Sequence, residues 1–278
     1  MNETKAMAVI MTVHNRRDTT LECIRRFYTC RGVEAYEVDF YLMDDGCTDG
    51  TSEAITDSFP QVIILKGDGN LFWNRGMYEC WKEAIKTHHD YYLWLNDDTM
   101  LFENAIEVLF KDYESAGELS IISGCCCDTA TRSVTTYGGR DEDDKLMPLN
   151  GQLQQTVAMN GNVALIPNEV IEIIGILDPY FWHSGGDNEY SFRAKKYGIP
   201  TYITSEFVAT CNRHDGISRS RDANYSLKER WHYLHTPFGA MPNEKFYLYA
   251  KYKGFGYAAK IWLREYVRCV FPSKVNIK

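Results

Sequence analysis

The 278-residue sequence contains no apolar run of the ~18–20 residues that a membrane-spanning helix needs. Its opening, MNETKAMAVIMTV, lacks a basic segment followed by a long apolar stretch and a small-residue cleavage site, so no secretory leader is expected. No two cysteines stand in C-x-x-C spacing. The nine cysteines are odd in number and irregularly placed, with three in a row from Cys125 to Cys127, which argues against a disulfide framework and a zinc site. A reducing cytoplasm is therefore the expected setting. Repeats and low-complexity linkers are missing too. Basic charge is scarce over residues 1–227, where 20 Lys/Arg face 35 Asp/Glu (−15), so no nucleic-acid partner is expected. Residues 228–278 reverse the sign, with ten Lys/Arg against three Glu, or +7.

What is present is ordinary globular composition, 45% hydrophobic and 24% charged, enough for one large domain with or without an extension. Short apolar runs alternate with helical periodicity. MAVIMTV (Met7–Val13) reads as a buried strand, Thr19–Tyr28 as a helix, and VDFYLMDDG as a second strand. DGTSEAITDSF turns into a helix, QVIILK is a third strand, Arg75–Lys86 a helix and YYLWLNDD a fourth strand. Phe102–Tyr113 and LSIIS add another helix and strand. This order predicts an α/β sheet, mostly parallel, whose ligands sit beyond the carboxyl ends of the strands. Three strands end in polar groups there: TVHNR, DDGCTDGT and NDDT. GGRDEDDK (Gly138–Lys145) reads as an exposed or mobile loop.

Each polar stretch has a plain reading and a chemical one. MDDGCTDGT is a strand, an Asp-Gly turn and a capped helix; alternatively Asp44 or Asp45 accepts the imide N–H of a uracil or thymine, with the TVHNR loop closing over the same base. LWLNDDTM runs an apolar strand straight into Asp97 and Asp98, two carboxylates that repel each other. A capped turn accounts for one of them. A hard divalent cation, Mg2+ or Mn2+, accounts for the pair, and such ions take oxygen ligands and bridge to phosphates. In GGDNEYSFRAKKYG, Asp187 caps a helix entered through glycines. The helix dipole keeps such a carboxylate ionised, which suits a general base. CNRHDGIS places His214 after an apolar strand, where a lone His is usually structural.

Taken in chain order, TVHNR, DDGCTDGT, NDD, NGNVALIP, the Asp of GGDNEYSFRAKK and a His followed by Ser resemble family-2 inverting glycosyltransferases of the GT-A fold, over roughly residues 7–220. GDGNLFWNRGM looks like the corresponding segment of a bacterial rhamnosyltransferase-like branch. The resemblance implies an α/β fold of GT-A type, a mostly parallel nucleotide-binding sheet flanked by helices. It places a catalytic domain over residues 1–220, with a nucleotide-sugar half to about 125 and an acceptor half from about 126. A C-terminal helical extension then covers residues 221–278. It implies transfer of a sugar from a nucleotide-diphosphate donor, a UDP- or dTDP-sugar, to a hydroxyl of a glycan or lipid-linked acceptor. Thr12, His14, Asn15, Asp44, Asp45, Asn70 and Asp97 would surround the nucleotide. Asp98 and His214 would hold Mg2+ or Mn2+, and Asp187 would be the catalytic base. Trp73, Tyr180, Phe181 and Trp182 offer rings to an acceptor sugar, or simply pack the core. Two positions depart from the family pattern: Gly186 stands where Glu often precedes the base, and Asn96 where the metal motif often begins with Asp. A nucleotidyltransferase and a non-catalytic sugar-nucleotide binder remain open. TVHNRRD is a poor phosphate loop for the first, and the intact Asp97, Asp98 and Asp187 argue against the second.

The basic tail carries one more pattern. In YAAKIWLREYVRCVF (Tyr257–Phe271), Lys260, Arg264 and Arg268 form one helical stripe, with Ala259, Trp262, Leu263, Tyr266 and Val270 on the other side. Packing of that apolar side on the catalytic domain or in a homodimer is the first reading. A peripheral helix lying on the anionic inner face of a membrane is the second.

Overall fold

A computed structural model describes residues 4–117, 119–213 and 216–272. The first half alternates strands and helices: β1 (Lys5–Val13), α1 (Arg17–Tyr28), β2 (Tyr36–Asp44), α2 (Thr51–Ser58), β3 (Ile63–Lys66), α3 (Phe72–Ala84), β4 (Tyr91–Leu95), β5 (Met100–Leu101), α4 (Ala105–Ala116) and β6 (Ile121–Cys127). There follow β7 (Thr135–Tyr137), β8 (Gly139–Arg140), β9 (Gln154–Thr156), β10 (Ala158–Met159), β11 (Val163–Pro167), α5 (Asn168–Ile174), α6 (Gly186–Lys196) and β12 (Thr201–Thr210). Three helices close the chain: α7 (Leu227–Leu234), α8 (Pro242–Tyr252) and α9 (Phe255–Val270).

The main sheet runs β3-β2-β1-β4-β11-β6-β12-β5. The first four strands are parallel, so the loops after β1, β2 and β4 emerge at one edge. The parallel run is interrupted there, because β11 enters antiparallel to both β4 and β6, and parallel pairing resumes between β6 and β12. Helices cover both faces, and successive residues of β1 feed two separate cores. Met7, Val9 and Met11 join Ile24 and Phe27 of α1 and Leu109 of α4. Ala8 and Ile10 join Trp81 of α3 and Tyr190 of α6. Burial on both faces is why β4 reads YYLWL without a polar break. It also accounts for the cysteine triplet, which lies wholly buried in β6.

The element order follows the pattern in the sequence, with shifted boundaries. α4 begins at Ala105, because Met100 and Leu101 are drawn into pairing with Thr210 and Ala209 of β12. α3 begins three residues before Arg75, at Phe72. The GGRDEDDK stretch is not all loop: Gly139 and Arg140 form β8, pair with β10, and bury Gly139. α9 is a helix as expected, but it buries Ala258, Ile261, Glu265 and Cys269 rather than the apolar side inferred from its pattern. The buried face is centred on an acid. Glu265 is fully enclosed and bonded to Arg221 at 2.6 Å and Lys245 at 3.3 Å. Hydrophobic spacing alone cannot reveal such a pairing. Among the described residues no helix is long and apolar enough to cross a membrane.

Candidate active site

The loops at the carboxyl edge of the parallel strands enclose a cavity of about 830 Å³. Thr12 near the end of β1, His14 after it, Asp45 after β2, Asp97 and Asp98 after β4, and Asp187 in the first turn of α6 all stand on its wall. Polar residues more than 170 positions apart in the chain thus converge where the topology predicts a ligand.

At one end, the two acids after β2 take different roles. Asp44 turns inward. Its carboxylate accepts from the Cys47 amide at 2.6 Å, from Ser52 and from Lys66 at 2.7 Å. These bonds outweigh its burial and hold its pKa at about 2. It therefore anchors the DDGCTDGT turn and is not on the cavity wall. Asp45 faces the cavity, and its carboxylate gathers the amides of Gly69, Leu71 and Phe72 at 2.9–3.2 Å. The two turns meet at Gly46 and Gly69, both with positive φ; a Cβ on Gly46 would sit 2.9 Å from the Gly69 backbone. That clamp holds Phe72 at a left-handed φ of 56°. His14 donates from Nδ1 to the Asp45 carbonyl, 2.6 Å away. Asn15 and Asn70 are not on the wall. Asn15 binds Thr48 across the turn at 2.7 Å, and Asn70 folds back on Asp68.

The adjacent carboxylates are bridged by a group the motif reading missed. Arg16 donates from one guanidinium nitrogen to Asp97 at 2.9 Å and to Asp98 at 3.0 Å. Its position in TVHNR, directly after a polar loop at the strand edge, was the available signal. Asp97 is buried, and desolvation raises its pKa to about 6 despite Arg16. Its Oδ2 has no hydrogen-bond partner among the described residues. Among the described residues no third His, Cys, Asp or Glu completes a metal-binding cluster with them. His214 lies outside the described residues. The segment leading to it passes the site at Cys211, whose thiol reaches Asp98 at 3.8 Å.

Asp187 stands opposite. Its Oδ1 accepts the Asn188 amide at 2.8 Å, and its Oδ2 meets the Gly161 amide at 3.4 Å. Burial pushes its carboxyl above the usual range, opposed by Arg140. Arg140, in the stretch expected to be loop, lines the cavity with Asn160 and Asn162 of the NGN turn. Both departures from the family pattern have local causes. Gly186 packs directly on the Asn74 side chain, which is held by the carbonyls of Asp178 and Phe181, and a Cβ there would collide. Asn96 accepts the Trp73 indole N–H at 2.7 Å without adding a third carboxylate. Trp73 in turn lies against Gly161, where a Cβ would come within 2.5 Å of its ring.

Of the four aromatic residues expected at the acceptor side, only Trp73 is on the wall. Phe181 is core, Tyr180 stacks on Tyr247 at 4.2 Å, and Trp182 is covered by the Arg75 guanidinium at 3.8 Å. Other rings at the cavity include Tyr137 and a cluster of Phe72, His183 and Phe238 with centroids 5.0–6.5 Å apart. Burial lowers the pKa of His183, whose Nδ1 is unpaired. Phe238 comes from the segment between α7 and α8, so the C-terminal helices help form the site.

With this geometry in place, the sequence profile of Glycosyl transferase family 2 matches residues 8–149, just over half of the chain. The chain belongs to glycosyl transferase family 2. The family-2 sheet, curled and flanked by helices, is of GT-A type. Its solved structural neighbours include mannosyltransferase PcManGT from Pyrobaculum calidifontis in complex with GDP-Man and Mn2+, with a TM-score of 0.55 and 13% identity, covering 94% of this chain and 74% of that one. S. aureus TarS gives a TM-score of 0.61 at 10% identity, covering 98% of this chain but only 46% of TarS. A search of the curated proteins returned no match. At such identities the likeness is one of fold.

Proposed function

We propose that this family-2 glycosyltransferase is an inverting, metal-dependent enzyme that moves a sugar from a nucleotide-diphosphate donor to an acceptor hydroxyl of a glycan or lipid-linked glycan. The observation that carries this reading is the placement of Asp187 and the Asp97–Asp98 pair on walls of one cavity, with Asp45 and His14 at the same edge. The nucleotide of a UDP- or dTDP-sugar would lie against Thr12, His14, Asp45 and Gly69. The Asp97–Asp98 pair fits a hard divalent cation. Two adjacent oxygen ligands are available, one of them with an unpaired buried oxygen, and a cationic guanidinium already balances them. His214, three residues beyond Cys211, is proposed as a further ligand. When bound, Mg2+ or Mn2+ supplies Lewis-acid neutralisation of charge on the departing diphosphate.

The protein's own groups supply the rest. Asp187 accepts the proton of the acceptor hydroxyl at Oδ2, the more weakly bonded oxygen, as that hydroxyl attacks the anomeric carbon. Its raised pKa makes it a better base than an exposed carboxylate. One displacement needs no carboxylate nucleophile, and the anomeric configuration inverts. Trp73, fixed by Asn96 and Gly161, offers a ring face between the metal-side acids and the base. The test is incubation with a panel of nucleotide sugars and acceptor glycans, with Mn2+ or with chelator, followed by NMR of the new anomeric centre. Release of nucleoside diphosphate with inversion, abolished by chelator, is the expected result. Release of pyrophosphate would instead identify a nucleotidyltransferase, and a retained configuration would remove the single displacement.

A further inference from the structure

The last 52 residues hold nine of the large apolar side chains that stand exposed, among them Leu227, Trp231, Trp262, Leu263, Val267 and Phe271. They are not scattered. Opposite the buried face of α9, Leu263 and Val267 lie one turn apart, 57% and 38% exposed. Beside them the Tyr266 ring sits between Trp262 at 4.6 Å and Trp231 at 5.2 Å. Trp231 belongs to α7, and Leu227 one turn before it continues the row. The result is a continuous apolar and aromatic ridge across two helices, left open by the described chain. Such patches on a protein surface mark interaction sites. Exposed Lys228, Lys260 and Arg264 flank it.

We infer that this ridge is a docking surface for an anionic lipid bilayer. The charge decides between occupants. The ridge lies in the segment carrying +7, on a chain whose remainder carries −15. A second copy docked face to face would set the exposed Lys228, Lys260 and Arg264 against the same three cations. An anionic headgroup layer attracts the same residues, each worth roughly 1 kcal/mol near the surface, and repels the acidic remainder so that the molecule is oriented. Aromatic rings with polar edges suit the headgroup boundary, and the outward apolar sector of α9 with basic residues on its flank suits a helix lying in that plane. The basic stripe is thus one edge of the surface, and Trp262, Leu263 and Tyr266, which the sequence pattern assigns to packing, are among the residues that enter the bilayer. α7 also leads from Trp231 to Phe238 at the cavity, so the docked face and the site share one segment.

The surface is separate from the reacting groups, and its test needs no turnover, so it stands or falls independently of the proposed reaction. Full-length protein is sedimented with mixed phosphatidylglycerol–phosphatidylcholine vesicles and with pure phosphatidylcholine vesicles, and its mass in solution is measured by light scattering. Expected is pelleting with the anionic vesicles at low salt. Leu263→Gln with Val267→Gln, and separately Lys228→Glu with Lys260→Glu, should each lower the bound-to-free ratio at least about tenfold at unchanged melting temperature. Should the Gln pair fail to fold, Trp231→Gln on the neighbouring helix reads the same ridge. Absence of pelleting at every composition overturns the inference, as does binding that the ridge variants leave intact. A dimer that the ridge variants turn into monomer assigns the surface to a second copy and overturns it too.

Discussion

At the scale of single residues, the site is a set of charges whose partners decide their roles. Asp187→Asn keeps the shape and an acceptor oxygen for the Asn188 amide but cannot take a proton. Transfer should fall about 10²-fold or more, with donor affinity measured by calorimetry nearly unchanged; near-normal turnover would make Asp187 structural. Arg16 makes a second prediction. Its guanidinium holds both metal-side carboxylates, so a cation must compete with it. Arg16→Gln should bind Mn2+ about tenfold more tightly in the absence of donor, read by calorimetry at pH 8, above the raised pKa of Asp97; weaker Mn2+ binding would show that Arg16 organises the acids. The paired acids could be picked out because two carboxylates side by side at the end of an apolar strand repel each other; Asp187 could be picked out at the start of a helix, but it lies inside α6, whose N-cap is Gly185, and does not cap it. The division of labour between Asp44 and Asp45 was not, since it depends on Lys66 and on the Gly69–Phe72 amides folding back from another loop.

At the scale of elements, strands and helices of the first half follow from short apolar runs broken by turn residues, because strands buried on both faces read as continuous apolar runs. Misreadings occur where an element's environment comes from far away. α9 turns an acid inward because Arg221 and Lys245 wait there, and Tyr180 and Trp182 are claimed by Tyr247 and Arg75. Glu244, in the first turn of α8, yields a test of this kind of context. It is buried, accepts the Trp182 amide at 3.2 Å, and desolvation raises its pKa to about 7. A carboxyl raised in the folded state favours folding while protonated, so wild type loses stability as pH rises from about 4.5 through 7. Glu244→Gln, which keeps the acceptor oxygen, should therefore melt higher than wild type at pH 8, by on the order of 2 kcal/mol, with the gap closing near pH 5. A constant gap across that range would show that the carboxyl does not titrate on folding.

At the scale of the molecule, buried ion pairs tie the C-terminal helices to one another and to α6, beside aromatic contacts such as Tyr247 on Tyr180 and Phe181. Glu265 pairs with Arg221 and Lys245, and Glu189 of α6 with Lys251 and Tyr252 of α8 at 2.7 and 2.6 Å. Removing one partner leaves uncompensated charge indoors. Glu265→Gln should cost about 2–4 kcal/mol in denaturant unfolding at pH 7. Because its folded pKa is depressed, that cost should shrink as pH falls below the ordinary Glu range. An unchanged midpoint at pH 7 would mean that the extension is held by its apolar contacts alone.

The aromatic cluster of Phe72, His183 and Phe238 has a kinetic consequence. Its members come from three distant stretches of chain, so the contact that completes the cavity is among the longest-range in the fold. The parallel strands that supply the acids must be assembled, and the loop entropy of everything between residues 72 and 238 must be met, before those rings meet. In a refolding experiment the sheet and its helices should appear first, and competence to hold a donor last. For a newly made chain, the working cavity arrives only after the C-terminal segment has been synthesised and docked.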